Sequence, residues 1–320
     1  MSEADVRRPL DADDLLFSIV VPVFNSAGYL GETIDSIVAE MERQQLSYEL
    51  ILVNDGSADD SWKVIADHAA SNPRVVGIDL LRNYGQHCAN LAGFREARGD
   101  YVITMDDDLQ NPPDQIRLLI DEALTGRDVV FGAFETKSAS RHRRLGSRLV
   151  TQINRRVFRQ PPDLIVSNFR IIRRDVIDRI NATRSPYPYI TGQAVLLSRS
   201  RSHVTVRHDP ARNGKSRYSF RRIARLMLTI LFSYSVYPLR LAAAGGFVIA
   251  ALSFLLGAVY LVRGIVDDVA VPGWTTLVVL LAMFNGVTIA LLSMLGEYIV
   301  RTLNTVSSDV PYHVAERVGR

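Results

Sequence analysis

The sequence of 320 residues predicts an α/β protein, in which a doubly wound, mostly parallel sheet is followed by a segment that attaches to a membrane. Three observations predict this class. Strand-like and helix-like runs alternate over the first 135 residues, which is typical of βαβ units. A strongly basic stretch follows, and two long uncharged apolar runs lie near the C-terminal end. The α/β class is therefore expected to be joined to a hairpin of two transmembrane helices.

The first strand is predicted at residues 17–23, because FSIVVPV is a continuous apolar run of the kind buried on both faces of a sheet. The predicted elements then alternate as helix 29–43, strand 49–53, helix 60–70, strand 75–81, helix 86–97, strand 101–105, helix 113–124 and strand 129–131. Ligands of such sheets bind beyond the carboxyl ends of the strands. The functional residues are therefore expected directly after these strands.

Charge is distributed unevenly along the chain. The net charge is −15 over residues 1–135, +19 over residues 136–240 and −1 over residues 241–320. This asymmetry indicates an anionic partner for the middle segment: nucleic acid, a lipid surface or a phosphorylated substrate. A single cysteine, Cys88, argues against a disulfide framework and a cysteine-based zinc site. Residues 1–16 are polar and show no apolar core of a secretory signal.

Two apolar segments are long enough to cross a bilayer. Residues 241–262 and 274–296 contain no charge, and each would span about 33 Å as a helix. Helices buried in a soluble domain are the alternative. Arginines flank the pair of segments on the outer sides, whereas the link 263–273 contains one arginine and two aspartates. The positive-inside rule therefore predicts an inner (plasma) membrane protein with both termini in the cytoplasm, and makes nucleic acid an unlikely partner.

The predicted organisation has six parts. They are a flexible N-terminal arm at 1–16, a catalytic-type α/β domain at 17–218, a juxtamembrane interface helix at 219–240, transmembrane helices at 241–262 and 274–296, and a cytoplasmic tail at 297–320. The interface helix is predicted because the segment begins with arginines and then becomes apolar. Residues 145–158 are a second interface candidate, for which an ordinary surface helix is an equal alternative.

Polar motifs follow the predicted strands. They are PVFN at 22–25, NDGS at 54–57, RNYGQH at 82–87 and DDDLQNPP at 106–113. Three adjacent carboxylates repel one another, and a divalent cation such as Mg²⁺ or Mn²⁺ that bridges to phosphate oxygens would offset this repulsion. A solvated acidic turn before a helix is the alternative. Neither a Walker loop nor a GxGxxG motif occurs in the sequence.

Taken together, VVPVFN, NDGS, RNYGQH and DDDLQNPP, in this order and spacing, resemble the family 2 glycosyltransferases of GT-A fold. The interface helix and the two C-terminal spans narrow the resemblance to the polyprenyl-phosphate branch, which includes dolichyl-phosphate mannose synthase, bactoprenol glucosyltransferase and undecaprenyl-phosphate aminoarabinose transferase. RNYGQHCANLAGF, GKSRYSF and LGEYIVR look closest to the last group. The resemblance covers about 17–312.

This resemblance implies a reaction. A nucleotide-sugar, with a UDP-sugar favoured, gives its glycosyl group to the phosphate of a membrane polyprenol such as undecaprenyl phosphate, with inversion at the anomeric carbon. Mg²⁺ or Mn²⁺ is the implied cofactor, and a homotetramer is the implied assembly. The expected partners are therefore the nucleotide-sugar, the lipid phosphate and the membrane.

The resemblance also implies the donor-site residues. Pro22, Phe24 and Asn25 match the nucleoside-pocket motif, and Asp55 matches the residue that contacts the base. The remaining positions are Asp106 and Asp107 near the nucleotide, Asp108 with Asp106 on the metal, and Gln110 beside the metal. The family usually has a glutamate where Ser26 stands, so ribose recognition is expected to differ here.

The acceptor phosphate is expected to meet the basic segment. Arginine suits this task because its guanidinium binds phosphate through two parallel hydrogen bonds. The positions that match the family's acceptor motifs are Arg143, Ser147, Arg148, Arg170 and Arg217, with Arg170 also counted among the catalytic residues. Nonspecific binding of anionic headgroups is the alternative for these arginines. Asp163 is one residue too early to match the family's proposed base, and His87 is expected to pack or cap the following helix rather than act as a base.

Three other functions stay open from the sequence. A processive polysaccharide synthase would share the donor domain, but its Gln-x-x-Arg-Trp motif is not matched, because Arg156 follows Gln152-x-x-Arg155. A transferase that acts on another lipid, such as diacylglycerol, is the second alternative. A membrane-anchored nucleotide-sugar sensor is the third, although such a sensor would be expected to lack the aspartates at 106 and 108.

Overall fold

The computed structural model describes residues 12–134, 157–183, 188–207 and 311–319, together with residues 155, 185 and 209 and scattered helical positions within 244–302. The chain divides into two compact units. The first comprises Met1–Ile223 and Ser308–Arg320, and the second comprises Ala224–Ser307. The predicted interface helix at 219–240 lies outside the described residues, as does most of the second candidate at 145–158.

The described residues of the first unit form an eight-stranded sheet with the order β7-β5-β6-β4-β1-β2-β3-β8. The strands are β1 Leu16–Val23, β2 Ser47–Asn54, β3 Val75–Leu80, β4 Tyr101–Thr104, β5 Val129–Phe134, β6 Arg170–Arg173, β7 Arg201–Val206 and β8 Val314–Val318. The central strands β3, β2, β1 and β4 are all parallel. Strand β6 is antiparallel to β4 and β5, and β8 is antiparallel to β3.

Helices cover both faces of this sheet, as the alternating sequence pattern predicts. They are α1 Ala27–Arg43, α2 Ser61–Ser71, α3 Gln86–Glu96, α4 Ile116–Leu124, α5 Arg174–Ala182 and α6 Ile190–Leu197. One core layer packs α1, α2 and α4 against the sheet. The other packs α3, α5 and α6 against the opposite face. The central strands β1 and β2 are mostly apolar and buried because both faces of the sheet are covered there.

The predicted mostly parallel α/β sheet is confirmed, and the predicted elements of the first 135 residues lie close to the observed ones. Several boundaries differ by one to three residues, and the segment predicted as a helix at 113–124 begins with a 3₁₀ turn at Pro113–Gln115 before α4. Proline at this position has no N–H to donate, so it suits a helix start better than a helix interior. The three strands β6, β7 and β8 are additions that the sequence pattern did not predict. Strand β8 belongs to the segment assigned above to a C-terminal tail.

Gly93 fixes how closely α3 packs on the sheet. A Cβ atom at this position would lie 2.3 Å from Val20 Cγ1, which is far inside van der Waals contact. Helix α3 therefore sits directly on β1, and its N-terminal end is held at the carboxyl edge of the sheet. This close packing matters for the site, because Gln86 and His87 are the first residues of α3.

The described residues of the second unit are largely helical and apolar. Several large side chains on them are more than half exposed, namely Val248, Leu252, Leu255, Leu277, Leu281, Leu292 and Ile299. Gly246 lies against Leu291, since a Cβ at Gly246 would be 3.1 Å from Leu291 Cδ1. Within the part of the chain that the structure describes, no helix is both long and apolar enough to span a bilayer. Most of the predicted spans 241–262 and 274–296 lies outside the described residues.

Candidate active site

The motifs singled out from the sequence meet at one edge of the sheet. Strands β1, β2 and β4 are parallel neighbours in register, with Val20 opposite Thr104 and Val23 opposite Asn54. Their carboxyl ends therefore lie side by side, and the residues that follow each strand face the same space. The structure thus brings the PVFN, NDGS and DDDLQNPP motifs together.

Asn25 ties the loop after β1 to the loop after β2. Its backbone N–H donates to Ser57 Oγ at 2.9 Å, and its side-chain Oδ1 accepts from the Ala58 N–H at 2.8 Å. The residue has a φ of 52°, a left-handed conformation that asparagine tolerates better than most residues. Phe24, directly before it, is 38% exposed, so an aromatic face is available at this edge. Pro22 lies within β1, opposite Val53.

Asp55 is buried at the end of β2 and holds the loop that follows β3. Its carboxylate accepts backbone N–H groups from Tyr84 at 2.7 Å and Gly85 at 2.9 Å. Burial raises the pKa of Asp55, and these two hydrogen bonds oppose the increase. Gly56 lets the two loops touch, because its φ is +62° and a Cβ would lie 2.4 Å from the Arg82 carbonyl carbon.

Asp107 is bound by the loop after β1. The Ser26 hydroxyl donates to its carboxylate, and the Phe24 N–H does so at 3.4 Å. The Thr33 hydroxyl donates to its backbone carbonyl at 2.8 Å. Burial raises the pKa of Asp107 to about 6 despite these bonds. Ser26, where the family usually has a glutamate, therefore supplies a donor at a position where another carboxylate would repel Asp107.

Asp106 belongs to a chain of side-chain hydrogen bonds. Gln86 Nε2 donates to its Oδ1 at 2.5 Å, and Gln86 Oε1 accepts from Asn168 Nδ2 at 3.2 Å. Burial, followed by the charges of Asp108 and Asp107, raises the pKa of Asp106 to about 7. Gln86 and Asn168 were not among the predicted site residues. Gln86 could have been found, because it lies within the RNYGQH motif that follows a strand.

Asp108 and Gln110 form a tight turn at the start of the acidic motif. The Gln110 N–H donates to Asp108 Oδ1 at 3.1 Å, and Leu109 between them has a φ of 55°. Among the described residues, this N–H is the one hydrogen-bond donor that the Asp108 carboxylate has. The Gln110 carbonyl accepts the Asp209 N–H at 2.9 Å. Asp108 thus keeps most of its oxygen lone pairs for a ligand.

The carboxylate oxygens of residues 106–108, which we call the acidic turn, suit a divalent cation as ligands. Within the described ranges, His, Cys, Asp and Glu side chains do not form a ready group of three or more metal ligands. Asp106 and Asp108 nevertheless present hard oxygen donors, and their mutual repulsion contributes to the raised pKa of Asp106. A cation of the Mg²⁺ type would remove this repulsion and take oxygen from both residues.

Arg170 is fully buried next to the acidic turn. It begins β6 and pairs with Thr104, the last residue of the antiparallel neighbour β4. Its Nε donates to Thr104 Oγ1 at 3.2 Å and its Nη1 to Thr191 Oγ1 at 2.8 Å, whereas its Nη2 has no hydrogen-bond partner among the described residues. Burial lowers the pKa of Arg170 to about 10, and nearby Tyr189 and Asp106 oppose the decrease. The guanidinium remains charged at neutral pH, and its unpaired Nη2 is itself buried.

His87 lies beside Arg170 at the start of α3. Its ring meets the Tyr189 ring edge-on at a centroid distance of 5.1 Å, and its buried Nδ1 lacks a partner within the described residues. Burial, followed by the charge of Arg170, lowers the pKa of His87 to about 3. Such a weakly basic imidazole suits packing rather than proton abstraction at neutral pH.

The structure leaves part of the predicted acceptor site without a description. Arg143, Ser147, Arg148 and Arg217 all lie outside the described residues. Arg170 is the member of that set whose surroundings are known. It lies opposite Thr104, two residues before Asp106, so the acceptor and donor motifs do approach each other at this residue.

Comparisons with known proteins identify the family of the chain. The family model described as "Glycosyl transferase family 2" matches residues 18–180. A protein from Proteus mirabilis named undecaprenyl-phosphate 4-deoxy-4-formamido-L-arabinose transferase is 34% identical over 305 residues, which cover 94% of each chain. A protein of the same name from Pseudomonas fluorescens is 36% identical over 306 residues, which cover 95% of this chain and 89% of the relative.

A solved structure shares the fold. Glucosyl-3-phosphoglycerate synthase from Mycobacterium tuberculosis, crystallised with Mn²⁺, uridine diphosphate and phosphoglyceric acid, superimposes with a TM-score of 0.52 at 17% identity. The match covers 68% of this chain and 77% of the other. At this identity the likeness shows the GT-A fold alone.

Proposed function

The chain belongs to glycosyl transferase family 2 and is a glycosyltransferase, and from this premise we propose that it moves a sugar from a nucleotide-sugar to the phosphate of a membrane polyprenol. The proposed donor is a UDP-sugar and the proposed acceptor is undecaprenyl phosphate. The product is a polyprenyl-phosphate sugar that serves modification of the cell envelope. The proposed assembly is a homotetramer.

One observation carries the choice of acceptor. The likeness to proteins named as undecaprenyl-phosphate transferases extends over 94–95% of the chain, whereas the family 2 domain ends at residue 180. The shared part therefore includes both the basic segment and the two apolar segments. A soluble acceptor would require neither of these features.

On the donor side, the residues after β1, β2 and β4 bind the nucleotide. Phe24 and Asn25 form one wall of the nucleoside pocket together with Pro22, and Asp55 contacts the base. Asp106 and Asp107 lie along the nucleotide, with Gln110 beside the diphosphate. The hydrogen bonds from Gln86 and Ser26 fix the positions of the two carboxylates, so little ordering is required when the donor binds.

Asp108 and Asp106 would hold a Mg²⁺ or Mn²⁺ ion, which stabilises the negative charge of the departing nucleoside diphosphate when it is bound. The three carboxylates carry negative charge that would otherwise repel the diphosphate. Among the described residues the Asp108 carboxylate accepts only the Gln110 N–H, so its other oxygen lone pairs remain for the ion.

On the acceptor side, an oxygen of the lipid phosphate attacks the anomeric carbon of the sugar. The new C–O bond forms as the bond to the nucleoside diphosphate breaks, and the electron pair leaves with the diphosphate. A phosphate monoester has its second pKa near ~6, so the nucleophile is already anionic at neutral pH. The chain therefore has to position this phosphate more than deprotonate it. Arg170, with its free Nη2, is proposed for that task with Arg143, Ser147, Arg148 and Arg217.

Residues 241–262 and 274–296 are proposed to cross the plasma membrane as a hairpin. The exposed leucines at 252, 255, 277, 281 and 292 support this, because such side chains are stable in lipid and costly in water. Connectivity supports it too, since the chain leaves the first unit after Ile223 and returns to it at Ser308. Any crossings in between must therefore be even in number, with both parts of the first unit on the same side of the membrane. The positive-inside rule favours the cytoplasmic side.

The proposal is tested with membranes that contain the expressed chain, undecaprenyl phosphate, Mg²⁺ or Mn²⁺ and a panel of nucleotide-sugars. One donor of the panel is expected to give a lipid-linked sugar. Asp108→Asn is expected to reduce the rate by at least about a hundredfold, because the metal-binding carboxylate is lost. Asp121→Asn is the matched control, since Asp121 is an exposed carboxylate on α4 that pairs with Arg117.

The control variant is expected to retain the wild-type rate. Full activity of Asp108→Asn would contradict the assignment of the acidic turn to the donor and metal. Loss of activity in both variants would point to a general effect of removing negative charge rather than to a site.

A further inference from the structure

The C-terminal strand β8 lies against β3, which leads into the loop 81–85, called the donor loop here. Strand β8 pairs antiparallel with β3, from Gly77 opposite Val318 to Leu80 opposite Val314. The pairing continues past the strand, because the Leu81 N–H donates to the His313 carbonyl at 2.9 Å. Residues 312 and 313 therefore lie where β3 ends and the loop 81–85 begins.

Side chains of α2 and α3 anchor this C-terminal segment. Tyr312 is 5% exposed, belongs to the same core layer as α3 and has the Arg95 guanidinium 5.4 Å from its ring centroid. Further along, the Trp62 Nε1–H donates to Glu316 Oε2 at 3.0 Å. A Cβ at Gly77 would lie 2.6 Å from Val318 Cγ2, which shows how closely β8 packs on the sheet. The C-terminal segment 312–318 is thus packed into the domain.

The loop 81–85 stands between this segment and Asp55. Tyr84 and Gly85 donate their backbone N–H groups to the Asp55 carboxylate. On its other side the Tyr84 ring meets the His313 ring at a centroid distance of 6.5 Å and an angle of 64°, an edge-on arrangement that stabilises aromatic pairs. A displacement of His313 would therefore move Tyr84 and change the hydrogen bond that Tyr84 donates to Asp55.

We propose that the C-terminal segment 312–318 is a positioning element of the nucleotide site, in which His313 holds the Tyr84 loop in place so that this loop in turn orients Asp55. The proposal rests on the proposed function, since it takes Asp55 as a contact of the nucleoside. His313 itself is a positioning residue and touches no substrate. Its action passes through one aromatic contact and two backbone hydrogen bonds.

The C-terminal segment 312–318 follows the apolar segments closely along the chain. The polypeptide returns to the first unit at Ser308, only four residues before Tyr312. The second apolar segment, which ends at residue 296, precedes Tyr312 by 16 residues of chain. Detachment of the C-terminal segment from the sheet is expected to loosen the nucleotide site without any change in the acidic turn.

The test measures binding of UDP to the full-length, detergent-purified chain by titration calorimetry. His313→Ala removes the ring contact but keeps the backbone hydrogen bond to Leu81, and it is expected to weaken UDP binding by about two- to tenfold. His313→Phe retains an aromatic edge and is expected to restore most of the affinity. Trp62→Phe is the matched control, because it removes one hydrogen bond to β8 at the end far from the loop.

Trp62→Phe is expected to change UDP affinity by less than about twofold. A His313→Ala chain that binds UDP as tightly as the wild type would overturn the proposal. Equal weakening by Trp62→Phe would also overturn it, because the effect would then come from the stability of the strand in general.

Hydrogen–deuterium exchange tests the same link without a nucleotide. In His313→Ala, the amides of residues 82–85 are expected to exchange faster than in the wild type, and those in Trp62→Phe are expected to keep the wild-type rate. Unchanged exchange in His313→Ala would refute the positioning role. Faster exchange together with a wild-type chain that binds no UDP would instead refute the proposed donor, so the two failures are distinguishable.

Discussion

Arg170 is a buried cation with two hydrogen bonds to hydroxyl groups and one nitrogen left over. The two bonds join Thr104, at the end of β4, to Thr191 on α6. They hold the strand that leads into the acidic turn. The third nitrogen is where a phosphate oxygen would bind. Because one side chain has both tasks, truncation to alanine would leave a cavity as well as remove a charge.

Arg170→Lys separates these tasks better, since the charge remains and the forked hydrogen bonding is lost. The KM for the polyprenyl phosphate is expected to rise by about tenfold or more, with UDP affinity within about twofold of the wild type. Arg117→Lys, at an exposed position of α4, is the control. Steady-state kinetics with a varied acceptor and calorimetry with UDP give both values. Equal loss of acceptor and nucleotide affinity would contradict the assignment.

Burial lowers the reactivity of the Cys88 thiol. Its thiol is 7% exposed, and burial, followed by the charge of Asp55, raises the pKa of Cys88 to about 12. The native chain is therefore expected to react with a thiol reagent at pH 8 at least about a hundredfold more slowly than the unfolded chain. Ser71→Cys, on the exposed end of α2, gives the reference rate. Native labelling of Cys88 at the Ser71→Cys rate would show that α3 opens readily.

At the scale of elements, α3 links the packing of the domain to its site. Gly93 sets the distance between α3 and β1, and the first residue of the helix, Gln86, binds Asp106. A substitution in the middle of α3 is therefore expected to shift Gln86 and to disturb its hydrogen bond to Asp106. Helix α1 has no such constraint at Gly28, where a Cβ would meet nothing within 4 Å.

Gly93→Ala is expected to lower the stability of the domain by about 1–3 kcal/mol, because the new methyl group overlaps Val20. Gly28→Ala is expected to be neutral or slightly stabilising, since alanine favours the helix. Thermal unfolding of the two variants in the same detergent compares them directly. A Gly93→Ala chain as stable as Gly28→Ala would mean that α3 sits further from β1 than the structure places it.

The strands of the first 135 residues were predictable because each is a short apolar run bounded by polar motifs. Strand β6 was not, because its sequence RIIR has arginine at both ends and reads as part of the basic segment. Strand β8, with the sequence VAERV, is an edge strand whose exposed side chains give no apolar signal. Long-range pairing created both strands, and single-sequence periodicity does not contain that information.

The candidate site was predictable to a similar degree. Residues that directly follow strands were found because parallel strands place them at a common edge. Gln86, which binds Asp106, was missed although it lies in a motif that follows a strand. Asn168 and Thr191 were missed because they bind Gln86 and Arg170 from elements far apart in the sequence. Only the fold brings them together.

At the scale of the whole molecule, the acidic and basic parts of the chain correspond to the two proposed substrates. The acidic part of the chain contains the carboxylates of the proposed donor site, and the basic part contains Arg170 and the stretch that precedes the apolar segments. A lipid phosphate at an anionic membrane surface would be attracted by the second part. By the positive-inside rule a basic stretch next to a membrane span stays on the cytoplasmic side, so we propose that the domain and both ends lie in the cytoplasm.

Cysteine labelling tests this topology in a Cys88→Ala background. Asp267→Cys, in the link between the apolar segments, is expected to react with a membrane-impermeant maleimide in intact cells. Ser71→Cys, which is exposed on α2, is expected to react only after the membrane is opened. The reverse pattern would place the domain outside. Labelling of neither position in intact cells would contradict the hairpin.

The mass of the lipid product shows whether the phosphate of a polyprenol receives the sugar. Membranes with the expressed chain are given the active nucleotide-sugar together with equal amounts of undecaprenyl phosphate and diacylglycerol, and the lipids are analysed by mass spectrometry. We expect a product with the mass of undecaprenyl phosphate plus one glycosyl residue, which is absent when Asp108→Asn replaces the wild type. A glycosylated diacylglycerol with no polyprenyl-linked product would contradict this expectation.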